Sequence, residues 1–186
     1  MARISYIDPA SIKDPLVQKW LDEAIAEGRP GPENQAIRAH QPDVMRSFTL
    51  TRKTLFDGGA GVLEHELKEL TRAYIAHTIE CAYCSNQGTA RSARDENDRM
   101  SELMNYATSS RFTPREKIAL RYADAIMYDP AQADDAMWTE LHAEFSEPEL
   151  VELGYWIGFT FGGQRWLKTL SAKQGEFAAS LQAKTK

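Results

Sequence analysis

Two cysteines, the only ones in the chain, stand three residues apart at Cys81 and Cys84, inside a stretch from Leu67 to Arg94 that also holds Glu69 and His77. A deprotonated thiol is the strongest nucleophile among the side chains, and a second thiol at C-x-x-C spacing can capture the oxidised first one as a disulfide. With an unperturbed pKa near ~8.5, a thiol is mostly protonated at neutral pH, so such chemistry needs a neighbour that stabilises the anion. A helix beginning near Cys81 would turn its free amide groups toward the sulfurs. His77 lies four residues before Cys81 and seven before Cys84, and shares their face if its helix continues. The same spacing serves zinc sites and plain packing. Tetrahedral zinc takes four ligands, of which His77 would supply only a third, so no metal is expected. Without a glycine-rich phosphate loop or nucleotide fingerprint, no cofactor is expected either.

The elements that must position these groups read as helices. Leu63, Leu67, Leu70 and Tyr74 recur at helical spacing and lead into the cysteines. Upstream, Asp14-Pro15 opens a helix with Leu16, Val17, Trp20, Leu21 and Ile25 on one stripe, ended by Gly28. A short helix follows over Asn34 to His40, and another starts at Pro42 with Val44, Met45, Phe48 and Leu55 on its apolar side, before Gly58-Gly59. Downstream, Met100, Leu103, Met104 and Ala107 form one stripe. Thr113-Pro114-Arg115-Glu116 is a capping box ahead of Ile118, Ala119, Tyr122, Ala125 and Ile126, and Met137, Trp138, Leu141 and Phe145 mark the next helix. Ser146-Glu147-Pro148-Glu149 is a second capping box. The helix it opens, LVELGYWIGFTFGGQRWLKTL, is apolar nearly all round and should be central, with Gly154 and Gly158 admitting a neighbouring helix backbone and Gly162-Gly163 inviting a kink. Glu152 keeps its apolar run too short for a membrane span. No period-2 strand appears, so the expected fold is all-α.

At 186 residues, 42% hydrophobic and 26% charged, the chain suits one helical domain over residues 1–186, with an arm at 1–13 and a polar, fraying tail at 171–186. The net charge of −5 and the lack of a basic cluster argue against a nucleic-acid partner. With no signal-peptide core and no membrane span, the expected location is cytoplasmic, where a cysteine pair is more often reactive than a permanent staple.

Three segments together resemble the carboxymuconolactone decarboxylase superfamily, and within it the D-type alkylhydroperoxidase-related proteins: Lys68-Glu69-Leu70 with Cys81-Ala82-Tyr83-Cys84, FTPREKIALRYADAI, and FSEPELVELGYWIGF. The resemblance implies an all-helical bundle assembled as a trimer or hexamer. It also implies a thiol-dependent peroxidase that reduces a small-molecule hydroperoxide and is regenerated by a protein dithiol reductant. Cys84 would attack the peroxide, Cys81 would resolve the product, and Glu69 would begin a relay that removes the thiol proton. The relay histidine of the peroxidases falls at Gly88 here, and a histidine sometimes found between the cysteines is replaced by Tyr83. Activation is then left to His77, to Glu69 through water, or to a helix end. On a straight helix the twelve residues from Glu69 to Cys81 span about 18 Å, so the relay requires the chain to fold back between Ile79 and Cys81. The alternative is a non-redox member of the fold, either a lyase acting on a small lactone or a helical oligomer with inert cysteines.

Overall fold

The computed structural model describes residues 2–58, 61–85 and 96–184. Their regular structure is helical, with no β-strand among the described residues. Two compact units arise, Met1–Asp57 with Trp166–Lys186, and Gly58–Arg165.

In the first unit, α1 (Pro15–Glu27) starts where Asp14 accepts the N–H groups of Leu16 and Val17, and ends at Gly28 with φ 68°, a left-handed conformation that glycine adopts without strain. Its buried residues are Val17, Trp20, Leu21 and Ala24, while Leu16 and Ile25 are exposed. The apolar stripe is therefore rotated from the expected one, because the small Ala24 completes the i, i+4, i+7 face that Ile25 only flanks. Helix α2 (Pro32–Arg38) begins two residues earlier than expected, at a proline pre-set for a first helical position. Helix α3 (Pro42–Leu55) buries Met45 and Thr49 and leaves Val44 exposed.

The tail is not frayed: residues Glu176–Lys184 form a helix, α10. Phe177 is buried among Val17, Trp20, Leu21 and Met45, and the buried Glu33 carboxylate accepts the N–H groups of Gly175 and Phe177. One aromatic seat, at roughly 1.5–3 kcal/mol, and a capped first turn outweigh the polar composition that suggested disorder. The N-terminal arm has only a 3-10 turn at Pro9–Ser11. Its backbone is tied by Arg3 N–H to the Leu170 carbonyl and Ile7 N–H to the Ala36 carbonyl.

The second unit contains α4 (His65–Thr78), α5 (Ala82–Ser85), α6 (Glu96–Ser101), α7 (Pro114–Tyr128), α8 (Asp135–Glu144) and most of α9 (Glu147–Leu170). Its core joins Leu67, Leu70 and Ile75 to Leu103, Ile118, Leu120, Leu141, Leu153 and Ile157. The stripe from Met100 to Ala107 is not one helix: α6 stops at Ser101 and a 3-10 turn covers Leu103–Asn105, because only Leu103 seats in the core while Met104 is exposed. Tyr106 turns back to donate to Asp124 Oδ2, and Tyr74 on α4 donates to Oδ1 of the same carboxylate, each at 2.6 Å. Burial first, then these bonds, pushes both phenols up.

Helix α9 runs unbroken across Gly162 and Gly163. The notch at Gly154 receives the Tyr122 hydroxyl, 3.2 Å from where a Cβ would stand, rather than a helix backbone, and Gly158 faces open space. Among the described residues no helix is long and apolar enough to cross a membrane.

Both expected capping boxes bind their acids. Thr113 and Glu116 cap α7 reciprocally. At α9, the Ser146 hydroxyl and amide both donate to Glu149 at 2.7 Å, and with Arg115 at 2.6 Å they hold the Glu149 carboxyl down from 4.5 to about 2. A folded-state value below the unfolded one contributes stability that is complete above pH ~4.5 and is lost as pH falls toward about 2. Glu149→Gln is accordingly expected to flatten the loss of thermal stability between those two values, read as the melting midpoint by circular dichroism. An unchanged slope would remove Glu149 as a contributor.

Candidate active site around the Cys81–Cys84 disulfide

Helix α4 forms because Leu67, Leu70, Tyr74 and their neighbours bury one broad face. It stops at Thr78 by a Schellman arrangement: Cys81 N–H reaches the Ala76 carbonyl and Glu80 N–H the His77 carbonyl, both at 2.9 Å. The residue just past the cap that must turn left-handed is Glu80, with φ 53°. Here is the fold-back the relay required. It is made by a glutamate where glycine is usual, at a cost on the order of 1–2 kcal/mol. Comparing two variants that both lack the side chain isolates the backbone: Glu80→Gly should be more stable than Glu80→Ala by about 1 kcal/mol. Denaturant titration reads the difference, and equal stabilities would argue against a strained turn.

Cys81 stands just before α5. Its carbonyl accepts the Ser85 N–H at 2.9 Å and its sulfur accepts the Cys84 N–H at 3.3 Å, so the start of a new helix does face a sulfur. The two cysteines form a disulfide, with Cα atoms 5.2 Å apart, and each is 3% exposed.

Glu69 is buried on α4 and both oxygens of its carboxylate accept from one guanidinium. Arg72 Nε donates to Oε2 and Nη2 to Oε1, each at 2.7 Å, while Nη1 of the same guanidinium donates to the Cys84 carbonyl at 2.9 Å. Glu69 is thus joined to the cysteine turn, through Arg72. That arginine was not among the expected site residues, although its i, i+3 position from Glu69 on a helix is the signal that could have found it. Two side chains of α9 brace this stretch of α4: Trp156 Nε1 donates to the Lys68 carbonyl and Gln164 Nε2 to the Arg72 carbonyl. Lys68 itself pairs with Glu152 at 2.7 Å, both side chains buried.

Among the described residues no side-chain hydrogen bond or ion pair joins His77 to this group. Its side chain is exposed, its ring makes no hydrogen bond or ion pair with any described residue, and the continuous helix that would have put it on the cysteines' face ends at Thr78. Gly59 and Gly88 lie outside the described residues. Among the described residues no three His, Cys, Asp or Glu side chains converge as a metal site.

The helical fold places the chain in a known structural class. It superposes on an uncharacterised peroxidase-related protein from Ralstonia eutropha, described as an alkylhydroperoxidase AhpD core, with a TM-score of 0.78 and 18% identity over 93% of this chain and 92% of that one. It also superposes on the debrominase Bmp8, in a cysteine-to-alanine variant complexed with 2,3,4-tribromopyrrole, with a TM-score of 0.71 and 16% identity over 92% and 90%. The fold is that of AhpD-like, peroxidase-related proteins, as the sequence resemblance implied. No protein-family model matches the chain. A curated relative, the uncharacterised protein YnjA of Escherichia coli, is 31% identical over 98 residues, 52% of this chain and 54% of that protein. The chain thus spans about half the length of the curated relative it matches.

Proposed function

We propose that the chain is a thiol-dependent peroxidase cycling between dithiol and disulfide at Cys81 and Cys84. The observation that carries this reading is the pairing of the two cysteines at the start of α5, with the Glu69–Arg72 pair fixed on the Cys84 carbonyl. In the first step the Cys84 sulfur attacks the outer oxygen of a hydroperoxide and the O–O bond breaks. The products are an alcohol, which takes up the thiol proton, and a sulfenic acid on Cys84. In the second the Cys81 sulfur attacks Cys84, and hydroxide leaves with the Cys81 proton as water. A protein dithiol then reduces the disulfide and becomes oxidised itself. Such a cycle suits a reducing, cytoplasmic compartment.

The test is direct. Reduced protein given one equivalent of hydroperoxide should consume it and lose two hydrogens in intact mass. Unchanged peroxide and unchanged mass would overturn the reading in favour of a non-redox enzyme or an inert cysteine pair.

The assembly proposed with it is a homo-oligomer, a trimer or hexamer. Val151 at 72% and Tyr155 at 55% exposure put apolar surface on the same side of α9 as the open notch at Gly158. Light scattering at micromolar concentration should give three or six times the chain mass; a monomer would refute it.

A further inference from the structure

We propose that Arg72 is the positioning residue for Cys84, and that Glu69 acts as its anchor instead of taking the thiol proton; this rests on the reading of Cys84 as the reacting thiol. Both oxygens of Glu69 accept from one guanidinium, and this charge-assisted pairing favours the ionised carboxylate and makes it a weaker proton acceptor. The guanidinium cannot pass a proton on, because arginine has donors and no acceptor. What it can do is hold position and charge. Its third donor reaches the Cys84 carbonyl across the Glu80 break, tying α4 to α5, and carbonyl oxygen and sulfur of one cysteine lie within about 5 Å of each other. A positive charge therefore stands beside the site where the thiolate forms, with Glu69 on its far side. The side chains are 9% exposed for Glu69 and 12% for Arg72, so water screens little of this field. Among the described residues, the other charged or titratable groups on α4, α5 and the turn between them are Lys68, neutralised by Glu152, Tyr74, bonded to Asp124, the buried Tyr83, the half-buried His65, and the exposed Glu66, His77 and Glu80.

The two roles predict opposite signs for one substitution. As proton acceptor, Glu69 replaced by glutamine should slow Cys84. As anchor, the same change removes the negative partner, keeps one oxygen for the Arg72 fork, and leaves the positive charge unbalanced beside the thiol, so the thiolate is favoured.

The experiment follows the pH dependence of iodoacetamide alkylation of the full chain with Cys81→Ser, in which Cys84 is the only thiol. Glu69→Gln should move the midpoint down and raise the rate near pH 7. Arg72→Met, which strands a buried carboxylate there, should slow it about tenfold by moving the midpoint up about one unit. Arg72→Lys, which keeps the charge without the fork, should lie between them. If Arg72→Met fails to fold, Glu69→Gln with Arg72→Gln removes both charges in similar shape and should return the midpoint to an ordinary thiol value near ~8.5. A tenfold loss in Glu69→Gln with no change in Arg72→Lys would overturn the proposal, as would a midpoint that no variant moves. Because alkylation involves no peroxide, failure of the peroxidase reading shows separately, as wild-type protein that alkylates as described yet leaves hydroperoxide intact.

Discussion

Lys68→Met is expected to destabilise the fold by roughly 3–5 kcal/mol, the usual result of removing one partner from a buried ion pair. The Lys68 ammonium lies 2.7 Å from Glu152 Oε1, with side-chain exposures of 5% and 7%, and the other Glu152 oxygen accepts the Val62 N–H. Loss of the ammonium leaves a carboxylate out of water with one neutral donor. At Gly61, an added Cβ would fall 2.5 Å from Glu152 Oε1 and 2.8 Å from Lys68 Nζ, so the turn before α4 is closed tightly over the pair. The second substitution carries the argument. Lys68→Met with Glu152→Gln removes the stranded charge and keeps an acceptor for Val62, and should recover most of the loss. Urea titration of the single and double variants decides: a single-variant loss under about 1 kcal/mol, or a double variant no better than the single, would mean the pair contributes little.

That pair also marks where reading the chain stopped short. Glu152 looked like the residue that interrupts an apolar helix, whereas it is the counter-ion of Lys68, 84 residues upstream. Periodicity and capping chemistry located the starts of α1, α7 and α9, because those signals are local: a proline at the first turn and an acid or hydroxyl beside it. They said nothing of Glu80, which turns left-handed although glycine is the usual residue there, nor of Phe177, whose seat is built from residues more than a hundred positions away. The pairing of the cysteines and the need for a turn between Glu69 and Cys81 were legible. The geometric reading of His77 assumed a straight helix, whereas α4 ends at Thr78 and the left-handed Glu80 takes the cysteines out of its line.

The largest functional effects are expected at the cysteines, and the two substitutions should differ in kind. If Cys84 is the attacking sulfur, as proposed, Cys84→Ser should leave hydroperoxide untouched, with the mass of the protein unchanged, because a serine hydroxyl is a far poorer nucleophile than a thiol at this pH. Cys81→Ser keeps the attacking sulfur and removes only the resolving one. It should therefore consume one equivalent of peroxide, stop, and carry one added oxygen as a sulfenic acid that dimedone traps. Cys84 N–H donates to the Cys81 sulfur at 3.3 Å and would stabilise a Cys81 thiolate, while the Cys84 side of the turn is fixed by Arg72. Mass spectrometry of each variant after a single addition of hydroperoxide separates the outcomes. Oxygen trapped on Cys81 in the Cys84→Ser protein, with Cys81→Ser inert, would reverse the assignment and make Cys81, held at the helix start by that amide, the sulfur that meets the peroxide.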